Sequence, residues 1–389
     1  MSPAVAILLL VVVPAGPAPV DDLANSIDRA IADATRALIA AQSPDGAWRS
    51  RTYGAFKDGL SLTPPILKAI AFAPDVEGSA AARGRGGSYL AARVRPDGSI
   101  DDGPFGQLYP VYADSCSAIA LSRIHVPRGP EAIAAYLADL RRRQLDGRLG
   151  WAPADPAFGA WGYAVEPSTA DRSPGRPVDA DLSSTLFAVG ALRILGAGAD
   201  DPAVVAALGF VGRCQNFDSG DPALDDGGFF LTPTDPARNK AGSAGLDRLG
   251  RFRHRSYGTA TADGLRALLR SGLAPDHPRV VAARRWLERN FSASTVPGTF
   301  EAARDDDRDA TYFYYCWSVA HAFRSMGVRT IESGGRRVDW ADEMARELIR
   351  RRRPDGTWSN RFSASKEDDP LVATPMALGA LGNCRPTPR

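Results

Sequence analysis

The chain has 389 residues, 44% of them hydrophobic, enough for a large buried core and too apolar overall for a disordered chain. Lys plus Arg (47) nearly balances Asp plus Glu (45), a formal charge of +2. The local basic runs, Arg141–Arg143 and Arg350–Arg353, close predicted helices, where positive charge suits the helix dipole. A nucleic-acid partner is not expected, because the sustained basic footprint of such binders is missing.

The chain opens with an apolar stretch, Ala4 to Val13, followed by Pro and small residues. It is too short to span a bilayer and fits the apolar region of a secretory signal. We therefore expect a signal peptide over 1–20, a single domain with internal repeats over 21–384, and a C-terminal tail over 385–389. The mature protein is expected to be exported, periplasmic or extracellular, without a transmembrane segment. A retained N-terminal membrane anchor is the alternative, because no Lys or Arg precedes the apolar stretch.

The first helical pattern runs from Leu23 to Ala41, with Asp21 and Asp22 at its start, and ends at the turn Gln42-SPDGAW. A more apolar helix follows over 60–73. The same pair then recurs. Helices over 78–94, 130–144, 202–215, 278–290 and 340–352 precede turns marked by Gly98, Gly147, Gly227, Gly298 and Gly356. Helices over 112–124, 181–195, 259–271, 311–326 and 370–382 follow them. The second member of each pair is apolar on more than one face, as a buried helix is. The spacing thus predicts about six hairpins of outer helix, Gly-rich turn and inner helix, with no comparable set of strands. Glycine permits the sharp turn, and Trp48, Phe300 and Trp358 are positioned to pack between outer helices. Six pairs can stack as an open solenoid or close as a ring.

The clearest turns, Gln42 to Trp48 and Arg353 to Trp358, resemble the QW repeat of squalene-hopene cyclases and protein prenyltransferases. The stretches Val178-DADLSSTLFAVGAL, Tyr257-GTATADGLRALL and Asp368-DPLVATPMALGAL resemble those proteins' inner-helix starts. The resemblance spans nearly all the mature chain. It implies an all-α fold, an α/α toroid with a central apolar cavity, and an isoprenoid-like small molecule as ligand. Class II terpene cyclases carry an Asp-x-Asp-Asp protonating motif; here Asp179-Ala180-Asp181-Leu182 keeps the first two acids and places Leu182 at the last.

If the inner helices run parallel, their N-terminal ends meet at one mouth. That mouth would receive Asp114, Asp179, Asp181, Tyr257, Asp309, Tyr312, Asp368 and Asp369. In the catalytic reading, Asp181 donates a proton to start a cyclisation or isomerisation, and Asp179 tunes it. In the plain reading, Asp181 caps its helix and Asp179 supports the turn. Tyr257, Asp309, Tyr312, Tyr315 and Trp317 are the substrate-binding candidates, the aromatic faces suiting a hydrocarbon or a developing cation. Nothing resembles a nucleotide loop or a nucleophile elbow. No cofactor and no metal are expected, since His125, His254, His277 and His321 have no ligand spacing. Cys116, Cys214, Cys316 and Cys384 can be buried thiols or disulfides. A non-catalytic interaction or scaffold protein and a carbohydrate-active α/α-barrel enzyme are the alternative functions.

Overall fold

The computed structural model describes residues 22–386, except 104, 105, 172, 174 and 175. The expected signal peptide and the last residues of the tail lie outside the described residues. The chain folds as six helical hairpins in sequence order. They are α1 (Leu23–Ala40) with α2 (Thr63–Phe72), α3 (Ser79–Ala92) with α4 (Pro110–Leu121), and α5 (Gly129–Arg142) with α6 (Leu182–Ile194). Next comes α7 (Pro202–Arg213) with α8 (Gly258–Arg270). Then α9 (Pro278–Asn290), the short α10 (Ala302–Asp305) and α11 (Tyr312–Ser325) form the fifth, and α12 (Trp340–Arg351) with α13 (Pro370–Cys384) the sixth. The inner helices α2, α4, α6, α8, α11 and α13 pack in that order, and α13 returns to α2. The inner layer is therefore a closed ring rather than an open solenoid.

Helix starts follow from local chemistry. Asp22, Asp181, Asp201, Asp339 and Asp369 are N-caps whose carboxylates accept from first-turn amides. Proline at the start of α4, α5, α7, α9 and α13 forfeits an N–H that has no helical partner there. Among the described residues the strands form two small hairpins. One pairs β1 (Ser243–Leu246) with β2 (Phe252–His254); the other pairs β3 (Thr330–Ser333) with β4 (Arg336–Asp339). No described helix is long and apolar enough to cross a membrane. All four cysteines are free and buried.

The repeated turn has a definite hydrogen-bond reason. Gln42 Nε2 donates to the Gly46 carbonyl at 2.9 Å and to that of Ala82, at the same distance, on the next outer helix. Trp48 donates Nε1–H to Leu38 O at 2.6 Å, and its backbone N–H to Thr63 Oγ1 on the inner helix. One turn thus ties its own outer helix, the following outer helix and its inner helix together. Trp358 repeats the indole and amide bonds with Leu348 O and Thr374 Oγ1. The third copy differs from expectation. Gly147 heads a short 3₁₀ turn, while Gln144 donates to Gly159 O and Ala203 O, and Trp161 donates to Leu140 O. The loop after Gln144 is an insertion inside the turn, so the marker glycine is Gly159. In the fourth copy Gln215 donates to Gly227 O and Arg279 O, and Phe229 takes the aromatic position with its N–H on Thr261 Oγ1.

Candidate functional site

Asp179 and Asp181 lie where the 152–178 loop enters α6. Asp181 is 1% exposed and caps α6, accepting from Ser184 N at 2.7 Å and from Ser184 Oγ at 2.9 Å. Asp179 accepts from Ala164 N at 2.6 Å. Arg238, carried in by the loop between α7 and α8, bridges them, with 2.8 Å to Asp179 Oδ1 and 2.9 Å to Asp181 Oδ2. Its guanidinium also lies 4.2 Å from the Tyr163 ring centre. Burial raises the Asp181 carboxyl above its usual range; Arg238 and the Ser184 amide oppose that shift. The two acids are therefore together, as the sequence implied, with an arginine between them that the sequence did not reveal.

Other residues expected at this mouth are engaged locally. Asp309 accepts from Thr295 Oγ1 and from Val296 N, both at 2.7 Å. Asp368 accepts from Tyr53 OH at 2.6 Å, and Asp369 caps α13 and binds the Ser50 hydroxyl. Tyr257 precedes α8, fully buried, with its ring edge-on to Phe300. Asp114 is not at the mouth. It is buried in α4, where burial first, and the neighbouring Asp139 second, raise its carboxyl well above normal. Both Asp114 carboxyl oxygens are buried without a hydrogen-bond partner, which favours the neutral acid there.

The aromatic run of α11 divides between two faces. Tyr312 OH donates to Ala293 O, and Tyr315 OH to Ser292 O, so both point out toward the end of α9. Arg351 of α12 covers the Tyr312 ring at 3.9 Å. Tyr314 and Trp317 face the ring interior, where Phe187 of α6 meets them at centroid distances of 6.4 and 5.4 Å. Glu367, buried in the loop before α13, accepts from the amides of Phe313 and Tyr314 and so covers the α11 N-terminus.

Inside the ring lies a cavity of about 380 Å³. Its walls come from the middle and later turns of all six inner helices, including Leu186, Phe187, Tyr314, Trp317, Met376 and Leu378. Its polar groups include Lys68, Arg266, Arg270, His321, Asn383 and, paired with Asp28, Arg385. Beside it, Asp263 of α8 is fully buried and accepts from Ser183 Oγ, Ser318 Oγ and Tyr314 OH at 2.5–2.9 Å. Asp263, Arg266 and Arg270 recur at i, i+3 and i+7 within an otherwise apolar helix. That is the sequence signal that could have found this face, and sequence reasoning missed it. A larger hollow of about 740 Å³ lies outside the ring, along the outer side of α7 at Val205, Leu208 and Gly209. Leu268 of α8 contributes to its wall, and none of the candidate catalytic or substrate-binding residues lines it.

No protein-family model matches the chain, and no curated protein sequence matches it. Solved structures do match. A variant of the type II terpene cyclase MstE from Scytonema, in complex with its substrate geranylgeranyl dihydroxybenzoate, aligns over 93% of this chain and 97% of its own. The TM-score is 0.56 and the identity 12%. A protein from Actinoplanes aligns over 92% of this chain and 99% of its own, with TM-score 0.52 and 14% identity. A glycosidase variant in complex with glucose aligns over 93% and 97%, with TM-score 0.50 and 10% identity. The chain therefore has the terpene-cyclase-like α/α-toroid fold, which at these identities fixes architecture and not chemistry.

Proposed function

We propose that this protein is an exported isoprenoid-binding toroid of the terpene-cyclase kind, whose hydrocarbon ligand lies in the cavity between the inner helices. The observation that carries the reading is the half-open cavity itself, walled by Phe187, Tyr314 and Trp317 with Leu186, Met376 and Leu378. Its volume falls within the usual range of about 300–1,000 Å³ for small-molecule sites. The fold it shares with a cyclase that holds a geranylgeranyl substrate supports the same ligand class, and the Gln42, Gly46 and Trp48 turn fits a QW-type repeat.

In its catalytic form the reaction is a cyclisation or isomerisation started by a proton from Asp181, with Asp179 as partner; neither acid lines the cavity, whose α6 wall begins at Leu186, so this form requires the ligand to extend to the start of α6. Burial favours the neutral acid, while Arg238 favours the carboxylate. Proton donation therefore needs Arg238 to be taken up by Asp179. Leu182, in place of a third acid, removes one neighbour that would help hold the proton.

The test is to purify the mature protein from its native cell, confirm by N-terminal sequencing that it begins near residues 16–22, and incubate it with a panel of polyprenyl alcohols, acids and phosphates. Binding is followed by tryptophan fluorescence and products by mass spectrometry, with Asp181→Asn as the control. Binding is expected, and any cyclised product should disappear in the variant. Folded protein that binds no isoprenoid overturns the reading. Sugar hydrolysis would instead favour the carbohydrate-active alternative, and neither activity the scaffold one.

A further inference from the structure

The chain has four lysines, Lys57, Lys68, Lys240 and Lys366, and their surroundings differ. Lys57 is exposed to solvent. Lys240 sits near Glu367 and Asp307, whose charges oppose the lowering of its ammonium by burial. Lys366 Nζ donates to Tyr109 OH at 2.9 Å. Lys68, on α2, is the lysine that lines the inner cavity. Phe72 and Ile194, at the ends of α2 and α6, also line it and are 54% and 44% exposed, so the lip of the cavity is apolar.

Charge around the Lys68 amine is one-sided. Among the described residues no carboxylate lines the cavity. Lys68 Nζ lies 4.0 Å from the Cys116 sulfur of α4. Burial pushes that thiol up, so it stays protonated and supplies no counter-charge. Arg266 and Arg270 of α8 share the cavity, and Asp263, 3.8 Å from Arg266, already accepts from three hydroxyls. His321 of α11 is held neutral by burial first and by Arg266 next. Arg385, after α13, pairs with Asp28 of α1. The Phe187 and Trp317 rings, 5.3 and 5.0 Å from Nζ, favour an ammonium, but the Arg266 guanidinium already stands 4.2 Å from the same Trp317 ring. Burial lowers the Lys68 ammonium, and Arg266 and Arg270 add to the effect against Cys116. An amine desolvated beside other cations is available as a neutral nucleophile.

We propose that Lys68 is a covalent site, whose Nζ captures an apolar aldehyde as an imine while the aldehyde's chain lies against Phe187, Trp317 and the α13 wall. The Nζ lone pair adds to the carbonyl carbon. The carbonyl oxygen takes up both amine protons and leaves as water. Nitrogen keeps a double bond to carbon, and nothing is oxidised or reduced. A neutral carbonyl brings no charge into an apolar site, and a neutral imine suits a place where two guanidiniums oppose any further positive charge. The inference shares the cavity of the isoprenoid reading but does not depend on the chain being isoprenoid.

The test incubates the whole mature protein with citronellal, decanal or the polar glyceraldehyde in the presence of sodium cyanoborohydride, which reduces an imine to a stable secondary amine. Peptide mapping by mass spectrometry locates the label, and farnesol binding is read in parallel by tryptophan fluorescence. Both apolar aldehydes are expected to label Lys68 ahead of the exposed Lys57, and glyceraldehyde is not. The label should be lost in Lys68→Met, whose fold is checked by circular dichroism; mapping on the parent carries the result if that variant does not fold. Farnesol binding without label on Lys68 would overturn the imine site and leave the isoprenoid reading standing. Label on Lys68 without farnesol binding would overturn the isoprenoid reading and leave the imine site. Equal labelling of Lys68 by glyceraldehyde would overturn the apolar class of the aldehyde. Neither label on Lys68 nor binding would overturn both.

Discussion

Gly46→Ala and Gly98→Ala separate two demands that the repeated turn makes on glycine. Both positions have left-handed backbones, with φ of 94° and 81°. An alanine there costs about 1–2 kcal/mol in either case. Their surroundings differ. A Cβ at Gly46 would stand 2.3 Å from the Arg85 carbonyl oxygen and 2.6 Å from its carbon, in the backbone of α3. A Cβ at Gly98 meets nothing within 4 Å. Moving a packed helix to relieve the first clash adds about 1–3 kcal/mol. Gly46→Ala should therefore lose about 2–5 kcal/mol and Gly98→Ala about 1–2 kcal/mol. Urea unfolding of the mature protein measures both, read by circular dichroism and by tryptophan fluorescence so that coincident transitions establish a single cooperative unit. Equal losses would refute the reasoning, because the approach of turn to neighbouring helix would then contribute nothing.

Arg238→Met should cost about 3–5 kcal/mol at neutral pH, since it strands Asp181 and Asp179 without their counter-ion. The loss should shrink on acidification, when the stranded, buried Asp181 carboxylate takes up a proton; urea midpoints across pH check this, and a pH-independent loss would contradict it. Glu367 sets a second pH dependence. Burial raises its folded carboxyl from the ordinary 4.5 to about 7, against the Phe313 and Tyr314 amides. The folded state then holds the proton more tightly than the unfolded one. The resulting stability is full below 4.5 and is lost as pH rises through about 7. Glu367→Gln cannot ionise, so its thermal midpoint should fall less across that window than that of the parent.

The helical hairpins were legible because their signals are local. Aspartates before apolar runs cap helices, glycines after them turn the chain, and helices apolar all round have to be inside. The resemblance added closure of the ring. Insertions blurred that local reading: the third turn reads as Gly147, but the hydrogen bonds of Gln144 and Trp161 place it at Gly159, after a loop whose folded path no local pattern encodes. The two strand hairpins escaped notice because each is only a few residues long, although Gly334 and Gly335, both with positive φ, form the turn of the second.

The candidate site was legible only in part, for the same physical reason. Asp179 and Asp181 are two residues apart, so sequence alone put them together. Arg238, which joins them, arrives from a loop far along the chain. On α11, Tyr312, Tyr314, Tyr315 and Trp317 are alike in composition. An inner helix is apolar on every side, so its pattern carries no record of which face looks outward to α9 and α12 and which looks into the cavity. Lys68 and Arg266 come from different helices and meet on one Trp317 ring. Local chemistry in the sequence determined where helices begin, turn and end; closure of the ring decided which charges share a cavity, because that proximity exists only after non-local packing brings separate helices together.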